Sequence, residues 1–227
     1  MRVQAQRAAM LLEIELGHFD AATRRAQLLE CSIPHNAPAR GILLADQAHL
    51  ALSEGAPVRA ERLFREALDL VDEAGDERGV SSVPLLGALA ALVAGRDANG
   101  LEEAKQLSAR ALDILLNAGD AVREFADTLT FRALLDLRTG DAKGGLALLR
   151  ESIALYETQN DCHERIATAA MLAAEAARAT GDTEQARVFR QTVAQSSGNT
   201  QIPSFEHELI RFGRALRLEL RRSAGLS

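Results

Sequence analysis

The residues that invite a chemical reading first are Asp161, Cys162, His163 and Glu164, the one place in the chain where a thiol, an imidazole and carboxylates adjoin. A thiol activated by an imidazole, or a metal held by sulfur, nitrogen and oxygen ligands, is the chemistry such a set suggests. Adjacent residues on a helix point about 100° apart and do not face each other, so Cys162 and His163 cannot pair by themselves. A capped helix start, with Glu164 three residues after Asp161, is the favoured reading. His18, His35, His49 and His207 are scattered, and none has a ligand partner three or four residues further on that would make a metal face. The segment TGDAKGG from Thr139 to Gly145 has glycines and a lysine but not the spacing of a phosphate-binding loop, and it reads as a turn. The sequence therefore points to no catalytic residue, no cofactor site and no metal site. An enzyme would need Glu175, His163 or Cys162 to converge from different helices on a deep pocket.

The elements that would position any site are helices. Alanine and leucine make up about a third of the 227 residues, while tryptophan is absent and tyrosine occurs once. That composition favours helix over strand. A net charge of −6 argues against general phosphate-backbone binding, so no direct nucleic-acid contact is expected. Apolar runs are too short to span a bilayer, and Arg2, Arg7 and Glu13 interrupt any signal-type core. Cys31 and Cys162 fit no disulfide or metal spacing, and a reducing, cytoplasmic setting is the expectation.

Internal repetition organises the chain. ALDLVDEAGD at 67–76 recurs as ALDILLNAGD at 111–120 and more loosely as SIALYETQND at 152–161. The same register aligns Ala60, Leu63, Phe64, Ala67, Leu68 and Val71 with Ala104, Leu107, Ser108, Ala111, Leu112 and Leu115. It also aligns them with Gly145, Leu148, Leu149, Ser152, Ile153 and Tyr156. Alternating steps of three and one place each set on one helical face, small residues beside large ones, as helix-on-helix packing requires. A fading fourth copy is Ala186, Phe189, Arg190, Val193 and Ala194. Each of the first three copies ends in Gly or Asn followed by Asp, at Gly75, Gly119 and Asn160, a stop and a cap for the next helix. Gly17, Gly55, Gly140 and Gly181 mark a second, inner turn.

Helix pairs are accordingly predicted at 3–16 with 19–31, 39–54 with 57–74, 83–94 with 100–117, 121–138 with 142–158, and 162–180 with 183–196. The third pair has a longer inner turn, from Gly95 to Gly100. After a linker at 197–203, the stripe Phe205, Leu209, Phe212, Leu216 and Leu220 predicts a capping helix at about 204–222 within a terminal segment 204–227. Arg211, Arg214, Arg217, Arg221 and Arg222 are read as charges that solvate this cap. The fold class expected is an all-α solenoid of about five antiparallel hairpins over residues 1–196. Because Met1 opens almost directly into the first helix, an apolar end needing an oligomer mate or a missing N-terminal domain is expected.

The marks Ala48, Gly55, Ala60, Phe64 and Ala67 resemble the tetratricopeptide repeat. So do Ala133, Gly140, Gly145, Leu149 and Ser152, and Ala174, Gly181, Ala186, Arg190 and Val193. The usual aromatic of the first helix is replaced by Leu44, Leu129 and Ala170, and the period is nearer 40 than the family's 34 residues. Long periods of the RALDI…AGD type look like the repeat regions of bacterial LuxR-type and antibiotic-regulator transcription regulators. The resemblance implies a right-handed superhelix whose concave groove holds a protein or peptide. Carried across repeat by repeat, it implies groove positions at Arg7, His49, Asp127, Thr130, Leu134, Arg138, Met171, Glu175 and Arg178. The function it implies is a non-catalytic interaction scaffold in a bacterial regulatory system. A receptor that senses a peptide or small ligand and changes conformation is the alternative.

Overall fold

The computed structural model describes residues 2–34, 38–74, 79–119, 121–160 and 162–196. Among these, ten α-helices form five antiparallel hairpins: α1 (Arg2–Glu15) with α2 (Phe19–Ser32), α3 (Pro38–Ser53) with α4 (Pro57–Ala74), α5 (Val83–Ala94) with α6 (Ala98–Ala118), α7 (Val122–Arg138) with α8 (Ala142–Glu157), and α9 (His163–Ala179) with α10 (Thr183–Ser196). A short 3₁₀ turn, Val80–Ser82, precedes α5. The all-α, repeated-hairpin class is as the sequence predicts, with helix ends within two residues of expectation. The capping helix expected at 204–222 and Asp76, Asp120 and Asp161 lie outside the described residues, but α7 and α9 correct the expected caps: their N-cap positions are Ala121 and Cys162, one residue after the aspartates, without a side-chain cap hydrogen bond.

The chain divides into two compact units, residues 1–118 and 119–227. In the first, each of α1 to α5 packs on the next and α5 on α6, and α1 also touches α3. In the second, α7 to α10 pack in order and α7 also touches α9. In each unit the opening helix thus meets both its own partner and the first helix of the next hairpin, the arrangement by which a repeat hides its apolar flank against its neighbour.

The repeat face carries this packing. Ala60, Leu63, Phe64, Ala67 and Leu68 are buried in α4, and Gly145, Leu149, Ser152, Ile153 and Tyr156 in α8. In α6 the face is shallower, with Ala104, Ser108, Ala111 and Leu115 buried but Leu107 and Leu112 half-buried. In α10 the pattern fades, since Arg190 and Ala194 are exposed. Close approach explains the small residues. A Cβ added at Gly145 would come 3.0 Å from the Ala133 carbonyl oxygen, so α8 lies against α7 at a distance only glycine permits without adjustment. Ser152 replaces an alanine of the repeat at no polar cost, because its hydroxyl donates to the Leu149 carbonyl at 3.0 Å.

The inner turns show why four glycines recur. Gly17, Gly55, Gly140 and Gly181 have φ of 75°, 77°, 87° and 81°. In each turn the glycine N–H donates to the carbonyl three residues back and the next N–H to the carbonyl five back, as in Gly140 to Leu137 and Asp141 to Asp136. This double closure satisfies the last carbonyls of the helix and needs the left-handed conformation. The third hairpin corrects the sequence reading. Its turn is not longer: residues 95–97 connect α5 to α6, three residues as in the other four. What differs is the closure. Gly95 stays right-handed at φ −82°, Asp97 accepts from the Gly100 N–H at 2.7 Å, and a Cβ at Gly100 would fall 2.1 Å from the Val93 carbonyl oxygen.

Candidate functional site

The first unit contains a cavity of about 580 Å³. It opens among the first helices of its three hairpins, with α4 contributing its inner face. Phe64, fully buried, and Leu85 supply apolar wall, Val71 and Ala45 shape it, and Ile42 stands exposed at its edge. The polar lining is Arg7 from α1, Asp46 and His49 from α3, and Ser81. Arg7 makes a two-pronged contact with Asp46, Nε to Oδ2 and Nη2 to Oδ1, the latter at 3.0 Å. The Asp46 side chain is 6% exposed and the Arg7 side chain 35%. A buried carboxylate therefore fixes a guanidinium whose far edge stays accessible. This pairing holds the Arg7 guanidinium more firmly protonated than usual, chiefly through the hydrogen bond to Asp46. The His49 ring stands edge-on to Phe64, centroids 5.1 Å apart at 82°, an aromatic geometry that orients the imidazole at the rim.

The second unit places a related pair in a closed setting. Asp127 of α7 accepts from Arg165 of α9 and from the Tyr156 hydroxyl of α8 at 2.6 Å. Thr130 lies 3.4 Å from the same hydroxyl and donates to the Ala126 carbonyl at 3.0 Å. Burial pushes the Asp127 carboxyl above the ordinary aspartate range, against the pull of Tyr156 and Arg165. Burial and the neighbouring Asp127 carboxylate push the tyrosine up as well, so Tyr156 stays protonated and serves as a donor. Three helices are thereby pinned at one carboxylate.

The positions expected to line a groove divide accordingly. Arg7 and His49 meet at the first unit's cavity. Asp127 is half-buried and occupied by Tyr156 and Arg165. Thr130 is buried, and Leu134 is fully buried in the second unit's apolar core, so both shape the wall without offering atoms to a partner. Arg138 and Met171 are half-buried. Glu175 and Arg178 pair with each other at 2.7 Å on the outer part of α9. Sequence reasoning missed Asp46, Phe64 as cavity floor, Val71, Leu85 and Arg165. The signal for Val71 was present, since the repeat alignment sets it opposite Tyr156.

The thiol and imidazole do not converge. Cys162 is buried in the core at the start of α9, while His163 is exposed. Glu175 lies twelve residues along the same helix, about 18 Å from His163 at the helical rise. The TGDAKGG segment is a turn and helix start, where Asp141 accepts from the Gly144 N–H at 2.8 Å. Among the described residues no cluster of three His, Cys, Asp or Glu side chains could hold a metal, and no helix is long and apolar enough to cross a membrane.

No family model matches the chain, and no curated protein does. Solved structures do. A Podosopora anserina protein classed with kinesin light chains, with nearly identical TPR-like repeats, superposes with a TM-score of 0.70 at 15% identity, covering 89% of this chain and 98% of that one. The fold is that of the tetratricopeptide repeat. BtubC (BKLC) from P. vanneervenii is similar to this tetratricopeptide fold at a TM-score of 0.76 and 16% identity, over 88% of this chain and 83% of its own. NprR, solved in complex with its cognate peptide NprX, matches with a TM-score of 0.63 at 12% identity, over 99% of this chain and 64% of its own.

Proposed function

We propose that this chain is a non-catalytic module that binds a protein or peptide partner, and that the first unit's cavity is where part of the partner seats. One observation carries the reading: three successive hairpins surround an apolar cavity of about 580 Å³, a size suited to ligand side chains, with a few fixed polar groups at its edge. The likeness to peptide-bound NprR supports a peptide over a folded surface as occupant. The separation of Cys162, His163 and Glu175 supports a role other than catalysis. A place in a bacterial regulatory system, with the module in the cytoplasm, fits the long-period repeats noted in the sequence. Coupling of ligand binding to a conformational change is the second reading, since a cavity lined by successive hairpins would be reshaped by any shift of one hairpin on the next.

The test exploits the repeat. Val71→Tyr puts at the cavity wall the residue that fills the equivalent position in the second unit. Affinity capture from an extract of the protein's own cells should yield a defined partner with the wild type. The variant should lose that partner while melting normally. Capture that is unaffected by filling the cavity would refute the assignment. For the second reading, addition of the captured partner's peptide should raise the melting temperature and change the protease cleavage pattern.

A further inference from the structure

The charged part of the cavity's polar edge is the Arg7–Asp46 pair. Both Asp46 oxygens accept from Arg7, and the Asp46 side chain is nearly inaccessible, so its acceptors are committed. Arg7 commits only Nε and one Nη2 hydrogen of a guanidinium's five N–H groups, and no other hydrogen bond or ion pair holds it among the described residues. The uncommitted hydrogens lie on the edge away from Asp46, on a side chain that remains accessible. His49, exposed at the rim, presents one N–H donor and one acceptor nitrogen in either neutral form, so the excess of donors comes from Arg7. The rim therefore offers the Arg7 donors to an incoming group beside an apolar wall made of Ile42, Val71 and Leu85, with Phe64 buried behind it. An occupant that matches both surfaces has a branched aliphatic side chain next to an acceptor-rich anion.

We propose, building on the peptide reading above, that the first unit selects an acidic peptide, one aliphatic side chain filling the cavity and a neighbouring side-chain carboxylate resting on the free edge of Arg7. The buried Asp46 has two consequences. It holds the guanidinium in place before the peptide arrives, so little ordering is lost on binding. It also sets the preference by default: without Arg7, the same rim presents an unpaired carboxylate and favours a cation. The selectivity thus belongs to the pair, and changing one member inverts it where changing both abolishes it.

The experiment uses the full chain with labelled methyl groups and acetylated, amidated hexapeptides of sequence Gly-Ser-Glu-Leu-Ser-Gly, or with glutamine or lysine in place of the glutamate. Titration to concentrations on the order of 5 mM reaches the weakest affinities that matter here. The expected result is movement of the Val71 and Leu85 methyl signals, with the glutamate peptide bound about fivefold more tightly than the lysine peptide and the glutamine peptide between, the size of a partly exposed charge contact. Arg7→Gln should reverse the order. The paired change Arg7→Met with Asp46→Leu should bring the three peptides within about twofold of one another. Equal binding of all three by the wild type, or a glutamate preference that survives Arg7→Gln, would overturn this inference and leave the cavity reading standing. Peptides that move no Val71 or Leu85 signal would overturn both.

Discussion

The two units tie consecutive first helices by the same kind of contact and use it differently. Arg7 reaches Asp46 in the first, and Arg165 reaches Asp127 in the second. Beside Asp127 stands Tyr156, 2% exposed, whose ring fills the space and whose hydroxyl takes up the carboxylate. In the first unit the repeat position equivalent to Tyr156 is Val71, which packs near Gly41 and lines the cavity that Asp46 also borders. An ion pair buried behind an aromatic ring is a fastening, whereas an ion pair at the lip of a cavity is a receptor element. The side chain at the position shared by Val71 and Tyr156 is one of the differences between them.

Tyr156→Val would convert the closed setting toward the open one and carries the largest expected effect. It removes a buried aromatic ring and leaves Asp127 short of a donor. The expected loss is about 3–5 kcal/mol in urea unfolding, the range for large-to-small changes at aromatic core sites. A loss below about 1 kcal/mol would mean that the second unit needs no filling at this position and would end the comparison.

Asp127→Ala should follow at about 2–3 kcal/mol, since it takes away the carboxylate to which a partly buried guanidinium and a buried hydroxyl both donate. Tyr156→Phe, which keeps the ring, should cost only about 1 kcal/mol. If the two proved equal, the hydroxyl rather than the charge would be the fastening.

Acid titration sharpens the contrast from another side. Asp127, raised by burial, takes up its proton more readily in the folded chain, so its contribution is present at low pH and is lost as pH rises through its folded value. Glu103 behaves in the opposite sense. The hydrogen bond from Arg65 holds it below the ordinary glutamate range, so its contribution is present at neutral pH and is lost as pH falls through its folded value. Carboxyl-carbon NMR should show Asp127 titrating above the aspartate norm and Glu103 below the glutamate norm. The reverse order would show that the tyrosine and arginine outweigh burial at Asp127.

Arg178→Ala should be nearly silent in stability, within about 0.5 kcal/mol, because its pairing with Glu175 is on the surface. Thermal melting checks it. A larger change would place α9's outer residues in the packing.

Much of the fold was legible because helical repeats are written locally. The face Ala60, Leu63, Phe64, Ala67, Leu68 returned in α6 and α8, and the four left-handed glycines marked where each first helix turned back. The third inner turn differs from the expectation because two glycines there do other work: Gly95 is right-handed, and Gly100 lets the first turn of α6 approach the Val93 carbonyl of α5. Of the groove positions, Arg7 and His49 fall on the cavity. Thr130 and Leu134 are interior, because a helix face read at one period cannot reveal which of its residues the next hairpin will cover.

The amino-acid order by itself determined that this chain folds as paired helices, where the pairs reverse and which face each helix buries, since periodicity, capping and glycine conformations act within a few residues. Tertiary structure alone decided that Arg7 meets Asp46 and Asp127 meets Arg165, each pair 38 or 39 residues apart, and that Val71 leaves open a space that Tyr156 closes. Those outcomes depend on how one hairpin registers against the next, and that register is set by the summed packing of many side chains, not by any short stretch of sequence.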